Sequence, residues 1–441
     1  MKCPLSKTFF SVKDVSEEFV IRGGKSLKGK VRIGGAKNAS FPILVACLLT
    51  NEECEISNIP LIEDVFRMIE ILKSMGADIE WKDKRTIRIK TDCVDPLKAK
   101  KELISLLRGS VLLLGALLGR FKEAKIPQPG GCIIGARPID THLDAFRQMG
   151  VKAQFMGKHF NFSFNRLPET REVILNEFSV TGTENIMLFS ALNPGKTIIK
   201  TADCDYQVQE LARFLEKMGV GIEGTGTHKL TIKGKKRLKG VKHKLMYDPP
   251  EAGTFIITAA ATRGNVLIEN VELPFLEFPL KKLKDFGVPL KIVKKGKGLA
   301  SVRVYPWKNL KINKIQSLPY PGIPSDLQSA FGVLATQADG STLIHDPLYE
   351  GRLKYLEELT KMGAEIYFAD PHRAIINGPT KLYGKKLKSL DLRGGAALIM
   401  AGLIAKGKTT IENIYQIDRG YERIEERLQG LGADIKRIAL K

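Results

Sequence analysis

One cysteine of the 441-residue chain stands where a thiol could react: Cys132 in PGGCIIGARPID, residues 129–140, with two glycines before it and Gly135 and Arg137 after it. Glycines make such a loop supple, and a neighbouring guanidinium favours the thiolate, the form that attacks carbon. A free cysteine is also a common core filler, so residue type alone leaves both roles open. A second set of polar residues opens six segments rich in small apolar residues: Lys37 and Asn38, Arg108, Glu184, Glu251, Asp326, and the pair Asp391 and Arg393. Where such segments are helices, their starts carry unpaired N–H groups and partial positive charge, a setting for bound anions. Capping is the plainer role for a polar residue there. Cations gain nothing from the helix dipole at that end, so Lys37, Arg108 and Arg393 point more firmly to an anion.

The elements that would hold these residues repeat. The segments KNASFPILVACLL, RGSVLLLGALLG, ENIMLFSALNPG, EAGTFIITAAATRG, DLQSAFGVLATQADG and RGGAALIMAGLIAKG are apolar nearly all round, which predicts buried helices. After each comes an amphipathic segment running into a glycine, at Gly76, Gly150, Gly219, Gly287, Gly363 and Gly432, spaced 68 to 76 residues apart. Glycine there suits the left-handed position that ends a helix, and β-rich sequence follows it. Most units also carry a strand-like stretch such as KTIIKTA or NVLIENV between the two helices. The unit therefore reads as buried helix, strand, amphipathic helix and two strands. It is too long for a solenoid repeat and suits a small α/β subdomain, six of which make two domains of three.

Composition sets the outer bounds. A hydrophobic share of 43% can fill two cores. The first twenty residues are broken by Lys7, Lys13, Asp14, Glu17 and Glu18, unlike a signal peptide, and no later run is apolar for the roughly 18 residues of a membrane span, so a cytoplasmic protein without stable membrane insertion is expected. Six scattered cysteines without a CxxC pair suggest reduced thiols and no metal site. The formal charge of +22 attracts anions, but the densest runs, KGKKRLKGVKHK and KIVKKGKG, carry almost no aromatic residue to stack on bases. They read as solvated hairpins and connections, with no nucleic-acid partner.

Eight segments in order resemble the UDP-N-acetylglucosamine 1-carboxyvinyltransferases, enolpyruvyl transferases that begin bacterial peptidoglycan synthesis. They are GGAKNASFPIL (34–44), LRGS (107–110), PGGCIIGARPIDTHL (129–143), SVTGTENIM (179–187), EAGTF (251–255), PGIPSDLQ (321–328), DLRGGAAL (391–398) and IDRGYERIEERL (417–428). The resemblance runs from about residue 19 to the C-terminus. It implies an inside-out α/β barrel of six βαβαββ-type units, in two three-unit domains around a cleft that closes on substrate. One domain takes residues 37–246 and the other residues 1–36 with 247–441, the first 18 residues being an N-terminal extension relative to the family.

By the same resemblance the enolpyruvyl group of phosphoenolpyruvate moves to the 3-hydroxyl of UDP-N-acetylglucosamine, with phosphate released, no metal or organic cofactor, and a monomeric enzyme. Cys132 matches the family's proton donor and fosfomycin target, and Asp326 the residue that orients and deprotonates the sugar hydroxyl. Lys37, Arg108, Arg137, Arg352, Arg393 and Arg419 match the cations that hold phosphoenolpyruvate or neighbouring phosphates, a task for which the guanidinium fork is suited. Asn38 positions the same substrate, and Asp391 orients Arg393 or the reacting groups. The nucleotide sugar contacts Arg137, Pro138, Ile139, Asp140 and Thr141, then Ser179, Val180, Thr181 and Gly182, and also Asp326 and Leu348. Two stretches depart from the family pattern: Cys204 to Gln207, where it carries Arg-Glu-Pro-Glu, and Pro249 and Pro250, where it carries Arg-Ile after an aspartate. A diverged paralogue with altered substrate or no catalysis is the alternative they raise.

Overall fold

The computed structural model describes residues 17–127, 130, 138–156 and 159–440. Cys132 and Arg137 lie outside the described residues, as does the segment 1–16. Tertiary contacts separate two units, one built from residues 35–127, 130 and 138–246, the other from residues 17–34 and 247–440. Each has its own hydrophobic core.

Six buried helices organise the chain: α1 (Lys37–Ala46), α2 (Leu113–Phe121), α3 (Val180–Ala191), α4 (Pro249–Ala261), α5 (Ser325–Ala335) and α6 (Leu392–Ile404). They match the small-residue segments, and small residues matter because the helices approach closely. A Cβ on Gly115 of α2 would lie 2.2 Å from the Asn185 carbonyl oxygen of α3. The segment around Arg108 differs from expectation in one respect: Arg108–Leu112 is a 3₁₀ turn, and the α-helix begins at Leu113.

The six repeat glycines all take positive φ, from 85° to 106°. Each closes its amphipathic helix with the same pair of bonds, such as Gly76 N–H to the Lys73 carbonyl and Ala77 N–H to the Leu72 carbonyl. A residue with a Cβ is strained in that conformation, which is why the pattern was readable six times over.

Every unit then adds strands to its own sheet. Five sheets have four strands and one has three among the described residues. In each four-stranded sheet one neighbouring pair is parallel and two are antiparallel; in the third unit, for example, Gly195–Lys200 pairs parallel with Thr170–Ile174 and antiparallel with Lys229–Gly234. The three-stranded sheet, of Glu123–Pro127, His159–Ser163 and Lys152–Met156, is purely antiparallel. Two closures are long-range. Strand Lys242–Lys244 pairs with Cys54–Ser57, joining the end of the first unit to its beginning. In the second unit, Glu17–Arg22 inserts between Lys408–Glu412 and Asp434–Ala439, and Lys28–Arg32 pairs with Asn265–Glu272. The basic runs are a connection into strand Lys242–Lys244 and the hairpin of Leu290–Gly296 with Leu299–Val304. Cys47, Cys54, Cys93 and Cys204 are free thiols.

Candidate active site

In the second unit the starts of α4, α5 and α6 meet through side chains. Asp326 sits in the first turn of α5 without capping it. Its carboxylate instead spans two arginines: Oδ2 accepts from Arg393 at 2.7 Å and Oδ1 from Arg352 at 3.3 Å. Both arginine side chains are at most 5% exposed, whereas that of Asp326 is 26% exposed. Asp326 is thus the face that this buried charge cluster presents outward.

The rest of the cluster fixes those guanidiniums. Asp391 caps α6 by accepting from the Arg393 and Gly394 N–H groups, and it also lies 3.5 Å from Arg352. Arg352 donates through Nε to the Ser325 hydroxyl at 2.9 Å, and Ser325 donates to the fully buried Asp346 at 2.7 Å. Asp346 also takes a bond from Ser317 and holds the backbone N–H of Leu348 and Tyr349. Leu348 is thereby tethered by its backbone, its side chain exposed. On the other flank Arg393 donates to the Tyr421 hydroxyl at 3.0 Å, which is 2.8 Å from the Thr254 hydroxyl in α4. Arg419, two residues before Tyr421, is buried and donates to Gln416. Burial opposes the charge on Arg352, but Asp326, Asp391 and Asp346 outweigh it and hold the guanidinium pKa above its ordinary value. Burial likewise raises the Tyr421 phenol.

The expected residues of the first unit gather at the starts of α1, α2 and α3. Lys37 pairs with the buried Asp64 at 3.1 Å and lies 5.5 Å from the Phe41 ring centroid. Phe41 packs where a Cβ on Gly109 would stand, which brings the Lys37 turn beside Arg108. Arg108 donates to the Pro138 carbonyl at 3.0 Å, just ahead of helix Asp140–Gln148. Ile139 is buried there, while Pro138 and Asp140 are exposed. In the first turn of that helix the Thr141 methyl lies close to Gly182, and its hydroxyl donates to Glu177. Ser179 caps α3 by accepting from Gly182 N–H; of the residues for which capping was the plainer role, Asp391 caps its helix and Asp326 does not. Val180 and Thr181 are half-buried in the first turn of α3, and Asn38 is half-buried in that of α1.

The departures fit locally. Asp205 caps helix Tyr206–Lys217, and burial, with Asp203 and Asp205 nearby, pushes the Cys204 thiol up to about 11, away from reactivity. Asp248 caps α4, and Pro249 and Pro250 open its first turn, where proline forfeits no intrahelical bond. Sequence reasoning passed over Asp64, Ser325, Asp346 and Tyr421; each is ordinary in its local sequence and acquires its partner only through folding. Among the described residues no group of three His, Cys, Asp or Glu is placed to hold a metal ion, and no helix is long and apolar enough to cross a membrane.

Comparison with known proteins identifies the family. The family model of EPSP synthase (3-phosphoshikimate 1-carboxyvinyltransferase) matches residues 21–428, so the chain belongs to that family of enolpyruvyl transferases. Among curated relatives, the UDP-N-acetylglucosamine 1-carboxyvinyltransferase of Coxiella burnetii is 40% identical over 423 residues, covering 96% of each chain. The UDP-N-acetylglucosamine 1-carboxyvinyltransferase 1 of Caldanaerobacter subterraneus subsp. tengcongensis is 42% identical over 420 residues, covering 95% of this chain and 99% of its own. The fold is that of the enolpyruvyl transferase NikO from Streptomyces tendae, with a TM-score of 0.85 at 24% identity over 97% of this chain and 100% of that one. EPSP synthase from Acinetobacter baumannii superposes with a TM-score of 0.72 at 20% identity, over 96% of this chain and 100% of its own.

Proposed function

We propose that the protein transfers the enolpyruvyl group of phosphoenolpyruvate to the 3-hydroxyl of UDP-N-acetylglucosamine and releases phosphate, acting as a cytoplasmic monomer in peptidoglycan precursor synthesis. The observation that carries this reading is the placement of Asp326 between Arg352 and Arg393. Addition requires a base for the sugar hydroxyl, a proton for the terminal carbon of phosphoenolpyruvate and cations for its phosphate and carboxylate. Asp326 is the least buried carboxylate of its cluster and serves as the base. Arg352 and Arg393 pair with it in the resting site and stand ready for an arriving anion, with Arg419 on the adjoining turn. Asp391 holds the start of α6 and so the aim of Arg393.

In this reading the 37–246 domain supplies the remaining groups. Lys37, Asn38 and Arg108 receive phosphoenolpyruvate, and the segments 137–141 and 179–182 receive the nucleotide sugar. Cys132 delivers the proton to the terminal carbon; loss of a proton from that carbon, with the C–O bond to phosphate breaking, then restores the double bond and releases phosphate. The names of the curated relatives support this choice of substrate.

Incubation of the purified protein with both substrates and measurement of phosphate tests it. Phosphate and enolpyruvyl nucleotide sugar are expected in equal amounts, with loss of turnover in Cys132→Ala and Asp326→Asn. Binding of the nucleotide sugar without phosphate release would favour the non-catalytic paralogue raised by the two departures. Phosphate release only with another sugar nucleotide would reassign the acceptor.

A further inference from the structure

His142 follows Thr141 in the helix Asp140–Gln148 and is 2% exposed. Its ring stands between two side chains of α3: Nδ1 is 3.0 Å from Asn185 Nδ2, and Nε2 is 3.2 Å from Thr181 Oγ1. The surrounding bonds determine which atom holds each hydrogen. Gly115 N–H, in the first turn of α2, donates to Asn185 Oδ1 at 2.7 Å, and Asn185 Nδ2 donates to the Val111 carbonyl at 3.1 Å. A backbone N–H needs an acceptor and a carbonyl needs a donor, so the amide is fixed in one orientation. Its Nδ2 must then donate to His142 Nδ1, which has to be unprotonated. Burial and the nearby Arg108 charge lower the imidazole to a pKa of about 3, so the ring is neutral and its one hydrogen is on Nε2. That hydrogen can go only to Thr181 Oγ1. With its oxygen accepting from His142, Thr181 must donate its own hydrogen elsewhere.

Thr181 is in the first turn of α3, where helix geometry leaves N–H groups without intrahelical acceptors. Donors directed from a helix start match an anionic oxygen.

We propose that His142 is a positioning residue, which through Asn185 and its own Nε2–H turns the Thr181 hydroxyl into an obligate donor to a diphosphate oxygen of the nucleotide sugar. This rests on the nucleotide-sugar reading of the segment 179–182, and deepens it by naming the group recognised and the residue that orients the donor. Glutamine at position 142 can place an amide nitrogen near the Nε2 position and preserve the donor. Asparagine can still accept from Asn185 but is too short to reach Thr181.

The test measures dissociation constants of UDP-N-acetylglucosamine, UDP and uridine for the wild type and for Thr181→Val, His142→Asn, their double variant and His142→Gln. One charge-assisted bond lost corresponds to roughly tenfold weaker binding. Thr181→Val and His142→Asn are each expected to weaken UDP and the nucleotide sugar by about that factor and to leave uridine unchanged. The double variant should be no weaker than either single one, and His142→Gln should recover most of the loss. In turnover the loss falls on KM for the nucleotide sugar and not on KM for phosphoenolpyruvate. Independent losses multiplying to roughly a hundredfold, or an equal loss for uridine, would overturn the proposal while the wild type still binds and turns over. If His142→Asn does not fold, Thr181→Val against His142→Gln decides: failure of Thr181→Val to discriminate UDP from uridine, or a His142→Gln loss as large as that of Thr181→Val, overturns it. A wild type that binds neither UDP nor the nucleotide sugar removes the functional reading itself, and this proposal with it.

Discussion

The two units fasten their helix starts by different means. In the second, formal charges do it: Asp326, Asp391 and Asp346 around Arg352 and Arg393. In the first, an ion pair of Lys37 with Asp64 stands at α1, but neutral hydrogen bonds through Asn185, His142 and Thr181 join α2, α3 and the helix Asp140–Gln148. Near them Glu184 is buried with one carboxylate oxygen lacking a partner, and burial, followed by Asp203 and Asp205, keeps it protonated well above the usual range. Charged partners in a half-open site can be exchanged for those of an incoming anion. Neutral bonds fix a ring or hydroxyl in one orientation and leave little to exchange. The charged arrangement of the second unit suits the proposed chemistry with moving charge, the neutral one of the first unit the proposed recognition.

Perturbing each side should separate these roles. Asp326→Asn removes the proposed base and should lower phosphate release by at least about a hundredfold, the lower end of what a positioned base contributes; a near-normal rate would assign deprotonation elsewhere. Arg352→Met leaves Asp326, Asp391 and Ser325 without a shared buried donor and should destabilise the fold by about 3–5 kcal/mol in urea unfolding. A loss below 1 kcal/mol would show that the charged fastening is dispensable.

Glu184→Gln tests the neutral side with the opposite sign. The folded protein holds this carboxyl protonated while the unfolded chain ionises it, so its contribution is complete below the unfolded pKa and declines as pH rises toward the folded value. The glutamine variant should therefore be more stable than wild type, by a margin growing by up to about 1.4 kcal/mol per pH unit in that window and absent in acid. Melting curves from pH 4 to 8 decide it; a pH-independent difference would mean Glu184 is ionised in the fold. His142 runs the other way. With a folded pKa of about 3 against 6.5, its contribution is complete above 6.5 and declines on acidification toward 3, so His142→Gln should flatten that acid limb. Tyr421→Phe, which takes one hydroxyl from between Arg393 and Thr254, should cost about 1–2 kcal/mol.

Whatever depends on a few consecutive residues could be read from the sequence. The six glycines were legible because positive φ is a local demand, and the six buried helices because their apolar character is continuous. The pairing of Lys242–Lys244 with Cys54–Ser57 was not, since neither strand's composition names a partner so distant. In the candidate site, Asp326, Asp391 and Arg393 were singled out through the quoted segments of the resemblance, and Arg352, outside those segments, through its overall extent. Their contacts were not, and Asp346 shows why: an aspartate in HDPLYEGR looks like a turn residue, yet it binds two serines and the backbone of the following loop. His142 was invisible for the same reason, because its neutral state and its tautomer follow from an amide on another helix.

The insertion of Glu17–Arg22 between two of the last strands has a consequence for biosynthesis. As the polypeptide leaves the ribosome, residues 35–246 contain every described strand of the first unit, so each of those strands has its sheet neighbours once they emerge. The strand Glu17–Arg22, though made earlier, stays without either neighbour until residues 408–439 have been translated, and a chaperone shielding that waiting edge would find its work at the start of the nascent chain.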